Sequence, residues 1–277
     1  MKYLVRKLYP YFVNKKGSLV YTSFKVTVEE YVKIVIDYVI LFFILSFISM
    51  FFILILTAGF YDIVLFLMNL LFSIIVSSLV FIYFYFYPDM ARADYIKDLE
   101  DNLPFFALYF YSYSGSGMNI IEIFKLLNKK KNFGAINKEL SYLILLIDLF
   151  GYDIVSALIK VANSTPSEKF KEFLYGLVSV IKSGGSLRDF AKIYAKERLG
   201  EYEIQLKAYN EKTNLWITLY AFFFITFPIV LLILAFLFSF ASGNPSILSS
   251  LTFFFVVILP FSYITYLYMI HIYQPKI

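Results

Sequence analysis

Two stretches rich in glycine and serine are the first places in this sequence where chemistry is conceivable, because such loops can cradle phosphate. They are residues 114–117, Ser-Gly-Ser-Gly, and residues 183–186, Ser-Gly-Gly-Ser. A phosphate-binding P-loop follows a strand and ends in Gly-Lys-Ser/Thr, and neither feature is present. Each stretch instead separates two segments with helical apolar spacing, where glycine permits a left-handed turn and the next residue caps a helix. We interpret both as hairpin corners, with hinge glycines Gly115, Gly117, Gly184 and Gly185.

Three carboxylates, those of Asp94, Asp98 and Asp101, are spaced i, i+4, i+7 and would share one helix face, as a metal site requires. The nearby basic residues Arg92 and Lys97 favour a solvated or partner-facing surface. The chain contains no cysteine, which excludes disulfides, thiolate metal sites and cysteine nucleophiles. We therefore expect no catalytic residue, no metal, no cofactor and no enzymatic activity.

Charged residues near helix ends are the candidate contacts with a partner protein. A run of three lysines ends one predicted helix, where it complements the helix dipole and could touch an acidic surface or lipid phosphate. A plain solvated turn explains this run equally well. Charges flanking the second corner are stronger candidates, because corners present them at the tip of a bundle. The predicted partner-binding residues are Lys129, Lys130, Lys131, Lys182, Arg188 and Asp189.

The apolar residues, 60% of the chain, are concentrated in long blocks. Residues 38–61, 63–88 and 213–270 carry no charged side chain, and the third block is interrupted by a turn-forming cluster at residues 241–245. A helix of about 25 residues crosses a hydrocarbon core of about 30 Å. The sequence therefore predicts four transmembrane helices, near residues 38–60, 63–87, 215–240 and 248–271.

The basic residues predict the orientation of these helices, because lysine and arginine accumulate on the cytoplasmic side. All 25 Lys and Arg fall on one side of the four predicted spans. We therefore expect a multi-pass protein of the cell membrane with both termini in the cytoplasm. The positive charge is explained by this topology and by attraction to membrane lipids with anionic headgroups, and it is no evidence for nucleic-acid binding.

Two prolines lie near the middle of predicted spans, Pro228 in the third and Pro260 in the fourth. Each removes an intrahelical hydrogen bond and is expected to kink its helix. Two interpretations of these prolines are equally possible. Either they are passively packed, or they are structural hinges that let the spans rock.

The long segment between the second and third spans has the size of a folded domain. Its apolar residues recur at i, i+3, i+4, i+7, as in Phe170, Phe173, Leu174 and Leu177, which is typical of one-faced helices. Cap signals occur at Asn119 and at Thr165 with Pro166. We expect about six helices, at residues 90–113 with a break at Leu103 and Pro104, 118–130, 137–148, 152–162, 166–182 and 187–213.

These observations predict an all-α polytopic membrane protein with a cytoplasmic helical bundle. Aligning the two corners pairs Leu108 with Leu177 and Met118 with Leu187, which suggests that the bundle contains two related helical hairpins. The predicted segments are an N-terminal cytoplasmic part (1–37), transmembrane helices 1 and 2 (38–87), the cytoplasmic domain (88–213), transmembrane helices 3 and 4 (214–273) and a cytoplasmic tail (274–277).

An ordered set of short motifs in the middle of the chain resembles the type II secretion F domain family. This family comprises platform proteins of type II secretion, type IV pilus, archaellum and Tad pilus machines. The matching motifs are Tyr87-Pro88, Asp101-Asn-Leu-Pro104, Ser114-Gly115, Gly151-Tyr-Asp-Ile-Val-Ser-Ala-Leu158, Pro166-Ser167 before Phe173-Leu174, and Ser183-Gly184 before Phe190.

The resemblance implies a helical cytoplasmic domain that seats a hexameric secretion ATPase and relays its movement to pilin-like subunits in the membrane. The chain has one such domain and is more similar to the single-domain archaeal and Tad versions. This implies pairing with itself or with a paralogous platform chain as a dimer.

Two other functions remain as alternatives. The first is a transporter or channel for small molecules or ions with a cytoplasmic regulatory domain. Such pathways usually place ionisable side chains inside the bilayer, whereas the four predicted spans contain no Asp, Glu, Lys or Arg. The second is a membrane-embedded lipid-modifying enzyme, for which the carboxylates from Asp94 to Asp101 are the candidate site.

Overall fold

The computed structural model describes residues 2–22, 24, 26–58, 63–243, 260, 261, 263, 264 and 266–268. Within these residues the chain forms helices and no strand, as the sequence predicts. The helices are α1 (Lys2–Val13), α2 (Lys16–Leu19), α3 (Val28–Ala58), α4 (Ile63–Ser114), α5 (Ile120–Lys130), α6 (Ala135–Asp148), α7 (Ile154–Ser164), α8 (Glu168–Ser183), α9 (Leu187–Tyr220), a π-helix (Ala221–Thr226) and α10 (Phe227–Ser242).

The chain divides into two compact units. The first unit consists of residues 1–106 and 116–187, and the second of residues 107–115 and 188–277. The first therefore contains α1 to α3, most of α4, and α5 to α8. The second contains the end of α4, nearly all of α9, the π-helix and α10.

The core of the first unit is aromatic. The Phe106 side chain on α4 is fully buried, and its ring lies at 5.5 Å from Phe173 and 5.7 Å from Phe133, both edge-on. Phe170 lies 6.3 Å from Phe106 and stacks on Phe173. Edge-to-face pairs of this kind add to the free energy gained by burying their apolar area, so α4 and α8 are held firmly together.

The predicted break at Leu103 and Pro104 was wrong, because α4 continues through both residues. A proline inside a helix removes one backbone hydrogen bond. The flanking side chains of Leu103 and Phe106 are completely buried. Since most helical stability in proteins comes from the packing of an apolar face, this burial outweighs the loss at Pro104.

The cap signals were partly correct. Asn119 caps α5, as predicted, and its side chain accepts a hydrogen bond from the Ile121 N–H. The predicted cap Thr165 instead ends α7, and Ser167 caps α8 by accepting the Phe170 N–H. A proline between two residues that can both cap a helix leaves the sequence ambiguous, and α8 begins two residues later than expected.

Three of the described helices are long and apolar enough to cross a membrane: Val28–Phe52, Ile63–Ser114 and Leu187–Ser242. They overlap the first three predicted spans and extend beyond them on the side that carries the charges. The fourth predicted span, residues 248–271, lies largely outside the described residues. Between α3 and α4 the side-chain amide of Asn69 donates a hydrogen bond of 3.3 Å to the Phe47 carbonyl, which links the two apolar helices.

The helix around Pro228 is continuous but changes its type. A six-residue π-helix precedes α10, and Pro228 lies in the first turn of α10. The Phe227 N–H bonds to the Phe222 carbonyl, five residues back. A wider turn of this kind accommodates the proline, whose ring would clash with the carbonyl four residues back in a regular helix. Pro260 is helical and exposed.

Candidate functional site

The two glycine-rich stretches are turns between helices. In the first unit, Gly184 ends α8 with a positive φ of 68°, which glycine adopts at little cost. The Gly185 N–H donates to the Val180 carbonyl at 3.0 Å, as in the usual glycine-terminated helix end. The turns are as predicted, whereas the role of these glycines as hinges stays a prediction.

Gly115 and Arg188 lie together in the second unit. A Cβ atom at Gly115 would be 3.3 Å from Arg188 Nε, so glycine lets the arginine side chain lie closely over the first corner. Arg188 and Asp189 are both exposed in the first turn of α9. The structure therefore places Gly115, a glycine of the first corner, in contact with Arg188, a predicted partner-binding residue.

The three predicted lysines at the end of α5 lie beside the start of α6. They are exposed, and Lys131 terminates α5 in a left-handed conformation. The preceding Asn128 accepts a hydrogen bond from the Asn137 side chain at its carbonyl and donates one of 3.1 Å to Ser141. The first residue of α6, Ala135, is in turn bound to Asp98 of α4.

Within the first unit, Lys182 lies far from the lysines of α5. Helix α8 starts beside Glu100, which accepts a 3.1 Å hydrogen bond from Ser167, and it then follows α4 past Phe106. The exposed Lys182 is about 22 Å farther along α8, at 1.5 Å per residue. Within the first unit, the structure therefore does not bring Lys182 together with the lysines of α5.

The carboxylate of Asp98 holds the start of α6. It accepts the Ala135 N–H at 2.7 Å and the Asn102 side-chain amide at 3.2 Å. An anion at a helix N-terminus is stabilised by the free N–H groups and the helix dipole. Asp98, the central residue of the predicted carboxylate face, therefore has a structural role: it binds the N-terminus of α6.

Gly134, the residue before α6, is constrained both by its backbone conformation and by the nearby Asp98 carboxylate. Its φ is 52° and its ψ is −125°, a region that only glycine occupies easily, and a Cβ atom would be 2.6 Å from Asp98 Oδ2. We expect Gly134→Ala to lower the free energy of unfolding of the first unit by about 3 kcal/mol, from backbone strain and displacement of the carboxylate. Hydrogen exchange of α6 in the full chain measures this loss.

Gly151→Ala is a matched control for Gly134→Ala. Gly151 also has a positive φ, 67°, but no atom lies within 4 Å of its would-be Cβ. We expect this control to cost only about 1 kcal/mol, the penalty of the left-handed conformation. Equal losses for the two variants would show that the contact with Asp98 is unimportant.

Buried Glu139 was missed by the sequence analysis. Tyr95 on α4 donates a hydrogen bond of 2.8 Å to Glu139 Oε1, and the Tyr21 ring lies 4.8 Å from the Tyr95 ring. These residues line an open cleft of about 1210 Å³ between the N-terminal segment and the bundle. The sequence did indicate that Glu139 is buried, because this residue falls at helical spacing between the apolar residues Ile136 and Leu143.

Burial raises the pKa of the Glu139 carboxyl, and the hydrogen bond from Tyr95 opposes this only in part. A group with a raised pKa in the folded state stabilises the fold at low pH, and the contribution is lost as the pH rises through that pKa. We expect Glu139→Gln, which keeps the acceptor for Tyr95, to remove this fall in stability. Thermal unfolding of both proteins between about pH 4 and pH 8 tests it, and identical slopes would contradict the assignment.

A second missed contact ties the N-terminal segment to the start of the bundle. Asp89 follows Pro88 on α4, forms an ion pair with Lys15 and accepts a 3.0 Å hydrogen bond from Ser18. Partial burial opposes ionisation, but the hydrogen bonds from Lys15 and Ser18 lower the pKa of Asp89 below its usual value. Lys15 also lies 4.7 Å from the centre of the Tyr85 ring.

Comparison with known proteins finds similarity to one family over part of the chain. Residues 106–235 match the family of the type II secretion system (T2SS), protein F. An uncharacterised protein of Methanocaldococcus jannaschii is 29% identical over 116 residues, which cover 42% of this chain and 19% of that relative. The matched segment therefore spans only about a fifth of that relative's length.

No solved structure matches the chain. The family match includes both corners, the π-helix and most of α10, and so confirms the resemblance indicated by the motifs around Ser114-Gly115 and Ser183-Gly184. Residues 106–235 of the chain are thus similar to the type II secretion system protein F family.

Proposed function

We propose that this chain is a non-enzymatic platform in the membrane of a machine like those of type IV pili or type II secretion. In this role it couples a cytoplasmic secretion ATPase to the insertion or extraction of pilin-like subunits. One observation carries the proposal: the family match at residues 106–235 covers bundle helices and also continues through α9 into an apolar helix. The matched domain is therefore of a kind that joins a folded bundle to a membrane.

The proposed topology places both termini and the bundle in the cytoplasm. It is supported by the distribution of the 25 lysines and arginines, all of which fall on one side of the four predicted spans. Residues 88–213 then form the cytoplasmic domain between two pairs of membrane helices, and residues 1–37 lie on the same side.

Force transfer in this proposal depends on continuous helices. In the first unit, α4 carries both the apolar residues that follow Ile63 and the bundle core at Leu103 and Phe106. In the second unit, α9, the π-helix and α10 follow one another without a loop. A displacement of bundle residues is therefore passed to the bilayer, with Pro228 and its π-helix as the proposed flexible point.

We propose that the ATPase docks at Arg188 and Asp189, at the start of α9 in the second unit. We propose Lys182, at the end of α8 in the first unit, as a separate contact with the ATPase. All three side chains are exposed. The Arg188 side chain packs closely over the backbone of Gly115. The lysines of α5 then remain for another partner, either lipid phosphate or a second platform chain, identical or paralogous.

Site-specific crosslinking tests this docking. A photo-reactive amino acid at Lys182 or Arg188 in the full chain, expressed with the cognate secretion ATPase, is expected to capture the ATPase. The same group at Lys129 is the control and is expected to capture little of it. A platform that never co-purifies with the ATPase from membranes would contradict the proposed function, whereas capture only through Lys129 would refute the docking surface alone.

A further inference from the structure

Helix α1 lies against the turns where the apolar helices end. The ring of Phe12 is fully buried and lies 5.4 Å from Tyr85, 6.0 Å from Tyr31 and 6.2 Å from Phe81. Phe81 and Tyr85 belong to the last two turns of α4 before Pro88. In the proposed topology, these contacts place α1 at the cytoplasmic edge of the bilayer.

The opposite face of α1 is aromatic and basic. Tyr3 is 78% exposed and Tyr11 is 65% exposed, and Arg6 and Lys7 between them are also exposed. Their spacing of i, i+3, i+4, i+8 places all four on one side of the helix. Tyrosines anchor proteins at membrane interfaces and basic residues attract anionic lipids, so this combination is typical of interfacial helices.

The described part of the chain does not neutralise the charges of this face. No Asp or Glu occurs before Glu29, whereas five basic residues occur among the first 16. Of these, Lys15 is bound to Asp89. Among the described residues, no carboxylate lies within ion-pair distance of Arg6 or Lys7. The outward face therefore presents positive charge at the depth where phospholipid headgroups are negative.

We propose that the outward face of α1, formed by Tyr3, Arg6, Lys7 and Tyr11, is a binding surface for anionic phospholipid headgroups of the cytoplasmic leaflet. Charge complementarity and the contacts with the ends of the apolar helices support this occupant. Because Phe12 and the ion pair between Lys15 and Asp89 tie α1 to α4, bound lipid holds the start of the bundle at the membrane surface.

Lipid selection by the purified full chain tests the proposal. The chain is placed in nanodiscs with equal amounts of phosphatidylglycerol and phosphatidylcholine, and the lipids retained after extraction are counted by native mass spectrometry. We expect phosphatidylglycerol to be enriched. Each basic residue strengthens binding to an anionic surface about fivefold, so the double variant Arg6→Gln, Lys7→Gln should lower the enrichment up to about thirtyfold.

The control is the double variant Lys192→Gln, Lys196→Gln, which removes two exposed charges from α9 and should leave the enrichment unchanged. An equal loss in the control, or no enrichment in the wild type, would overturn the proposal. The experiment contains no ATPase, so its outcome is independent of the proposed motor function.

A fluorophore at the surface gives a second readout that keeps all the basic residues. The chain lacks cysteine, so Tyr3→Cys provides a unique labelling site. We expect the emission to shift to shorter wavelength in nanodiscs with phosphatidylglycerol compared with phosphatidylcholine alone. The shift should weaken at high salt, because salt screens the attraction. Identical emission in both lipids would contradict the surface.

Discussion

Replacing Phe106 with alanine is expected to lower the free energy of unfolding of the first unit by about 3–5 kcal/mol. Phe106 is completely buried, and its ring contacts those of Phe133, Phe170 and Phe173. Alanine leaves a cavity where α4 packs on α8, and rigid neighbours fill it only in part. The change therefore weakens the attachment of the long helix to the bundle.

Hydrogen exchange of the full chain in nanodiscs measures this effect. The slowest amides of α8, Glu168–Ser183, should exchange about 150 to 4,000 times faster in Phe106→Ala. Phe150→Ala makes the same chemical change at a side chain that is 60% exposed, and its effect should stay within about 0.5 kcal/mol. A loss below about 1 kcal/mol in Phe106→Ala would mean that this ring is not central to the core.

Lowering the helix stability of α4 between its apolar part and the bundle is expected to abolish most fibre assembly or secretion. The triple variant Met90→Gly, Ala93→Gly, Asp94→Gly keeps the length of the chain and changes exposed positions. Three glycines cost a helix interior about 3 kcal/mol, which shifts the equilibrium from intact to broken helix about a hundredfold. The bundle would still fold and bind its partner, but its movement would no longer reach the bilayer.

The control for this variant is Met90→Ala, Asp94→Ala, which removes the same side chains while retaining high helix propensity. Assembly should remain close to that of the wild type in the control. Both proteins should reach the membrane at equal levels, as measured by immunoblotting of membrane fractions. Normal assembly in the triple-glycine variant would show that a rigid α4 is not required.

The helical fold could be predicted from the sequence because its signals are local. Uncharged blocks indicated the apolar helices, and apolar spacing together with cap residues such as Asn119 indicated the bounds of α5 to α8 to within about two residues. The continuity of α4 through Pro104 could not be predicted in this way. It depends on how deeply Leu103 and Phe106 are buried by helices distant in sequence, which a local proline rule does not include.

The candidate site was less predictable than the fold. The exposed charges at Lys182 and Arg188 were visible as a pattern, but the separation of Lys182 from the lysines of α5 within the first unit depends on tertiary packing. Asp98 was considered as part of a carboxylate face, and its task is to bind the Ala135 N–H. The pairs Tyr95–Glu139 and Lys15–Asp89 join residues far apart in the chain, so only the folded structure reveals them.

The separation of two spin labels on α4 tests most directly whether a rigid helix joins the bundle to the membrane. Leu79, which is 61% exposed, lies within the apolar part, and Lys97 is exposed beyond Pro88. Because the chain lacks cysteine, the double variant Leu79→Cys, Lys97→Cys carries labels at these two sites alone. In lipid nanodiscs, pulsed electron paramagnetic resonance should give one narrow distribution, corresponding to backbone positions about 27 Å apart. A broad distribution, or a mean several ångströms shorter, would show a flexible or broken connection and contradict the account.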